Sequence, residues 1–230
     1  VLSSNENREF KIELAKNYVE YYIAKSMGQE YLYYRIRNMF RLLVVNRTIS
    51  PLTGLPGNTQ IQTELKRIML RGERFVVLYL DLDNFKAYND VYGFLKGDEI
   101  IKFTARTILK NVSNNAKTDL FVGHIGGDDF VTILGDETGY EKICQDIISE
   151  FDSGVKYFFT EEDYKRGYLK IQNRKGKMEH FPITSISIGV VVADPDRFTN
   201  VLEIGEVGAQ VKHIAKKYKG SCYATDRRKH

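Results

Sequence analysis

Two acidic positions carry chemistry in this sequence. Asp81 closes the apolar run RFVVLYLDL at 74–82, and Asp128 lies in the string Gly126-Gly127-Asp128-Asp129. If the strands that carry them are neighbours, their carboxylates converge at the edge of a sheet. Two such oxygens, with the Leu82 carbonyl as a third protein ligand, suit Mg²⁺ or Mn²⁺, which completes its octahedron with phosphate oxygens and water. Gly126 and Gly127 put no Cβ between the backbone and a phosphate or base. An acidic hairpin turn alone is usually just solvated, so the surroundings decide. Asp81-Leu82-Asp83-Asn84-Phe85-Lys86 is followed by Asn89-Asp90 and Gly97-Asp98-Glu99. Asparagine both donates to and accepts from a guanine edge, and aspartate accepts from guanine's ring N–H and exocyclic amine. Asn89 and Asp98 are therefore a candidate guanine-reading pair.

The elements that must position these groups follow from the hydrophobic periods. Residues 74–82 read as a central strand covered on both faces, and DLFVGHIGGDDFVTILG at 119–135 reads as a hairpin with Gly126–Asp129 at its turn. Helices are expected at 59–71, capped by Asn58, then at 84–92, 95–113, 137–153 and 198–219. A second hairpin is expected around Asn173–Gly176, a buried strand at 183–192 and a terminal strand at 221–225. Residues 9–47 read as helical, with Phe10, Leu14, Tyr18, Tyr21, Tyr22 and Ile23 on one face and a break at Gly28. That segment is either packing or an extension against the main domain, or a dimerising stalk. The punctuated loop ISPLTGLPGN at 49–58 marks the boundary, so residues 1–48 are expected to be a helical extension or linker and 49–230 the main domain. Alternating strands and helices interrupted by hairpins give an α/β or α+β fold with a mixed, largely antiparallel sheet flanked by helices.

Composition narrows the class. A hydrophobic share of 43% and a charged share of 28% are those of an ordinary globular protein, and a net charge of +4 is too weak to argue for nucleic acid. Cys144 and Cys222 lack a partner motif, which fits a reducing, cytoplasmic setting. His124, His180, His213 and His230 lack metal-ligand spacing and are expected to be surface or packing residues. No apolar run approaches the roughly 18 residues of a membrane span. The chain starts at Val1, so a piece of a longer protein with an upstream sensory or regulatory domain is expected.

Residues 50–225 resemble a GGDEF domain, the family that makes cyclic di-GMP from two GTP molecules. The matching strings are LTGL at 52–55, DLDNFKAYNDVYG at 81–93, KGDE at 96–99, GGDDF at 126–130, SISIGV at 185–190 and AKKYKGS at 215–221. The resemblance implies a nucleotide-cyclase-like, ferredoxin-like sheet and a metal held by Asp81, the Leu82 carbonyl and Asp128. It implies that Asn84, Phe85 and Lys86 lie along the triphosphate, that Asn89 and Asp98 read guanine, that Gly126 and Gly127 sit against the nucleotide, and that Lys216 contacts the terminal phosphates. Asp128, Asp129 and Lys86 are the expected catalytic groups. Each domain would bind one GTP, so a homodimer is the expected working unit.

The sequence departs from the family's pattern in named places. The signature's fourth position is Asp129 rather than Glu. Ser50 stands where an acid usually precedes LTGL, and Gly57-Asn58-Thr59 replaces the Asn-Arg pair that usually follows it. The arginine after the last helix is missing. Lys117 and Asp119 are the only remnants of the product-inhibition motif, so no feedback site of that type is expected. The metal and guanine pairs are intact. Two functions are therefore carried forward: an active diguanylate cyclase, and a catalytically weak GTP-binding module that regulates a neighbouring domain such as a cyclic di-GMP phosphodiesterase.

Overall fold

The computed structural model describes residues 2–5, 7–17, 22–115, 119–172 and 176–226, with only the helical backbone described over 42–47. Two compact units emerge, residues 1–47 and 48–230. In the first, β1 (Leu2–Ser3) pairs in parallel with β2 (Ile23–Ala24), and α1 (Arg8–Lys16) is capped by the Asn7 side chain accepting from the Glu9 N–H at 2.9 Å. A 3₁₀ turn leads to α2 (Gly28–Thr48). The expected helical face therefore ends early. Ile23 is buried in a strand, and Gly28 opens a helix rather than breaking one. Tyr18 and Tyr21 lie outside the described residues.

The second unit starts with α3 (Asn58–Met69), whose N-cap is Gly57, not Asn58. The Asn58 side chain instead donates to the Ile125 carbonyl at 3.3 Å. Then follow β3 (Phe75–Leu82), α4 (Phe85–Tyr92), α5 (Phe94–Asn115), β4 (Leu120–Gly126) and β5 (Asp129–Leu134). The remaining elements are α6 (Tyr140–Val155), α7 (Glu161–Arg166), β6 (Tyr168–Gln172), β7 (Met178–Pro182), β8 (Ile186–Ala193), α8 (Val201–Ala215) and β9 (Cys222–Thr225). The periodicity reading missed α7, a six-residue helix too short for an amphipathic period to show. It is defined by its cap, where the Thr160 hydroxyl accepts from the Asp163 N–H. The hairpin of β6 and β7 forms as expected, though Asn173, Arg174 and Lys175 at its turn lie outside the described residues.

The central sheet runs β4-β5-β3-β8-β9. All its pairings are antiparallel except β8 with β9. β3 is its middle strand and alternates between two cores. Val76, Leu78, Leu80 and Leu82 pack with Tyr88, Ile100, Ile108, Ile143 and Phe151 of α4, α5 and α6. Phe75 and Val77 pack with Ile61, Leu65 and Ile68 of α3 and Ile204 of α8. Burial on both faces explains the unbroken apolar run. The same alternation turns Asp81 toward the α8 face. Among the described residues no helix is long and apolar enough to cross a membrane.

Candidate active site

The pairing of β3 with β5 places Asp81 directly opposite Asp129. Gly126 pairs with Asp129, so the connecting turn consists of Gly127 and Asp128 alone. Gly126 and Gly127 have φ of 146° and 60°, which a side chain would oppose. The four-residue turn read from the sequence is thus shorter. Asp128 sits at its tip and Asp129 already belongs to a strand.

A lysine that sequence reading missed joins the two strands. Lys212 on α8 lies with its Nζ 3.0 Å from Asp81 Oδ2 and also hydrogen-bonds Asp129 Oδ1. Lys216, the C-cap of α8 and one turn further on, lies 2.5 Å from Asp81 Oδ1 in an ion pair without hydrogen-bond geometry. The i, i+4 spacing of the two lysines was the available signal, since it puts both on one helix face. Close packing brings that face to the sheet. A Cβ on Gly189 of β8 would lie 2.5 Å from the Lys212 backbone nitrogen, and Gly208 of α8 sits against the Tyr79 ring.

Burial dominates the charge behaviour. It pushes the Asp128 carboxyl up, with the charge of Asp81 adding to the rise. Burial also raises Asp129, although the hydrogen bond from Lys212 opposes it. Burial acts to lower Lys212, but its hydrogen bond to Asp129 and the charge of Asp81 outweigh that and raise it. Asp83, raised by burial, accepts from the hydroxyls of Ser185 at 2.8 Å and Ser187 at 2.7 Å. Hard oxygen donors, together with a 94%-buried carboxylate whose Oδ1 lacks a hydrogen-bond donor, suit a divalent cation in kind. Among the described residues no three acidic, histidine or cysteine side chains gather as a metal cluster, so such an ion would take its other ligands from elsewhere.

The remaining expected residues lie at the end of β3, at the start of α4 and along it, and in the first turns of α5. Asn84 is the one described non-glycine residue with positive φ, at 59°, and it turns the chain from β3 into α4. The Phe85 side chain is buried and stacks on Tyr88, so only its backbone faces outward at the start of the helix. Lys86 is exposed. Leu82 is buried in the opposite core and has only its carbonyl to offer. Asn89 packs against Gly97, where any side chain would collide with Asn89 Oδ1, and Asp98 is the next residue. Asn89 Oδ1 is buried without a hydrogen-bond partner. Such an acceptor is costly unless a donor is supplied.

His124 is also a packing residue, as expected, but with a defined task. It is buried, stacks on Phe130, and its Nε2 lies 3.0 Å from the Gly127 carbonyl. Its Nδ1 meets the hydroxyls of Ser50 at 2.8 Å and Thr53 at 3.1 Å. With Nε2–H donating to the carbonyl, Nδ1 accepts from the hydroxyls. The ring thus ties the loop at 50–55 to the glycine turn. Asp119 pairs with Arg67 of α3 and with Arg71 just beyond it, and Lys117 lies outside the described residues.

Comparison with known proteins shows the family and the fold. The family model described as "Diguanylate cyclase, GGDEF domain" matches residues 48–172. The chain is 29% identical over 180 residues to the signaling protein YkoW of Bacillus subtilis, covering 75% of this chain and 19% of that protein. It is 32% identical over 159 residues to the diguanylate cyclase DgcZ of Escherichia coli, covering 66% of this chain and 50% of DgcZ. The chain therefore spans half or less of these relatives. Among solved structures, the coiled coil and GGDEF domain of DgcB from Caulobacter crescentus superposes with a TM-score of 0.64 at 19% identity, over 95% of this chain and 100% of that one.

Proposed function

We propose, because the chain belongs to the GGDEF family of diguanylate cyclase domains, that it condenses two GTP molecules into cyclic di-GMP and two pyrophosphates. The observation that carries this reading is the register that sets Asp81 opposite Asp129 and beside the Gly127–Asp128 turn. Asn89 Oδ1 and the Asp98 carboxylate would accept guanine's N–H groups, which supplies the donor that the buried Asn89 oxygen lacks. The first-turn N–H groups of α4 have no helical partners and, with Lys86, would meet the triphosphate.

Asp81, the Leu82 carbonyl and Asp128 would hold Mg²⁺ or Mn²⁺, which when bound neutralises phosphate charge and acidifies the attacking hydroxyl. Lys216 would turn from Asp81 to the terminal phosphates. Asp129, raised by burial, would accept the 3′-hydroxyl proton. Each hydroxyl must reach the α-phosphate of the other GTP, so two domains face each other as a homodimer. Residues 1–48 would link this domain to an upstream sensory or regulatory module, with the domain working in the cytoplasm where GTP is supplied.

A second reading, a catalytically weak GTP-binding regulator of a neighbouring domain, is favoured by the short Asp129 side chain and its engagement by Lys212. One experiment separates the two. The protein is incubated with GTP and Mg²⁺ or Mn²⁺ at high concentration and the products are identified by mass. Cyclic di-GMP that disappears in Asp128→Ala supports the cyclase. Folded, dimeric, GTP-bound protein without product supports the regulator.

A further inference from the structure

We propose that the Lys212 ammonium is a tethered cation that competes with the divalent metal for Asp81 while it holds Asp129, so that metal enters only as Lys212 swings out. The inference rests on the metal assignment above and goes beyond it. Asp81 is 6% exposed, and so buried a carboxylate needs a counter-charge. In this structure that charge is lysine on both sides, Lys212 at Oδ2 and Lys216 at Oδ1. A metal ligated by Asp81 stands about 2.0–2.1 Å from a carboxylate oxygen. Were that oxygen Oδ2, the ion and an ammonium 3.0 Å from the same atom would be like charges no more than about 5 Å apart. The two do not share the oxygen without cost.

The lysine's place is built into the fold. Gly189 lets the backbone of α8 at Lys212 lie against β8, and Gly208 lets the helix lie against Tyr79. The root of the side chain is thereby anchored over the acidic pair. Its tip keeps a way out, since the side chain is 20% exposed and rides on a flexible four-carbon stem. Departure of the ammonium would also release Asp129, which it hydrogen-bonds. Metal loading and the freeing of Asp129 thus become one event.

The test uses Mn²⁺ alone, without nucleotide, on the whole chain. Affinity is measured by calorimetry for the unmodified protein, Lys212→Met and Lys212→Arg. Lys212→Met is expected to bind Mn²⁺ at least about tenfold tighter than the unmodified protein, a difference of about 1.4 kcal/mol. Lys212→Arg, which keeps the cation, is expected to stay weak. Equal or weaker binding by Lys212→Met overturns the competition while leaving the metal site standing. Absence of binding in all three overturns both. The unmodified protein provides a check that does not depend on a variant folding. Acetylation of Lys212, read by peptide mass, should quicken with excess Mn²⁺, and an unchanged rate overturns the proposal.

Discussion

Asp81 and Asp129 are register partners on adjacent antiparallel strands, and their carboxylates share one ammonium, that of Lys212. Three elements meet in that contact, so small displacements of any one reach the site.

Gly189→Ala tests the closeness of α8 to the sheet. Its Cβ would press on the Lys212 backbone, which cannot rotate aside as a side chain would. Overpacking of this kind costs about 1–3 kcal/mol. Urea unfolding should show that loss, and product formation should fall further than stability alone explains. A variant as stable and active as its parent would mean that the helix position is not tightly set.

Asp98→Ala tests guanine reading. Loss of a charged acceptor from a hydrogen bond costs about 1.5–3 kcal/mol, or roughly 10- to 150-fold in GTP affinity. ATP binding should not change. Equal affinity of the unmodified protein for GTP and ATP would sink the assignment.

His124→Ala tests the tie between the loop at 50–55 and the glycine turn. The variant opens a cavity beside Phe130 and removes the partner of the Gly127 carbonyl and of two hydroxyls. Destabilisation of about 2–4 kcal/mol is expected in a denaturant titration. Amide exchange around Gly126 and Gly127 should quicken, and unchanged exchange there would remove His124 from any positioning role.

Asp163→Asn tests an acid-sensitive contact away from the site. The Tyr92 hydroxyl, with Thr160 and Arg166, holds the Asp163 carboxyl below the usual range. A depressed carboxyl stabilises the fold above its unfolded pKa of about 3.9 and loses that contribution as pH falls through the folded value. Melting temperatures recorded from about pH 5 downward should fall less steeply in the variant than in the parent. Parallel curves would show that Asp163 contributes nothing to acid sensitivity.

Much of the fold was legible because burial imposes a period. The run at 74–82 is apolar throughout, and it became the doubly covered β3. Periodicity could not see α7, which depends on the Thr160 cap, or place Asn58 inside α3 rather than at its cap. The acidic turn was located to the right string but two residues too long, because strand pairing continues to Gly126 on one side and Asp129 on the other.

The sequence by itself determined which chemistries were present. Carboxylates of the kind a divalent cation takes lie at Asp81 and Asp128, polar groups of the kind that can pair with guanine lie at Asn89 and Asp98, and helix-forming patterns surround them. These are properties of residue type and spacing along one chain. Only the tertiary structure decided which of them meet. Lys212 lies 131 residues from Asp81 and 83 from Asp129. Its i, i+4 spacing puts it on one helix face with Lys216, but no local pattern says what that face meets. It enters the site because Gly189 and Gly208 let α8 lie close against the sheet, and a contact between backbones so far apart is settled by packing rather than by any local pattern.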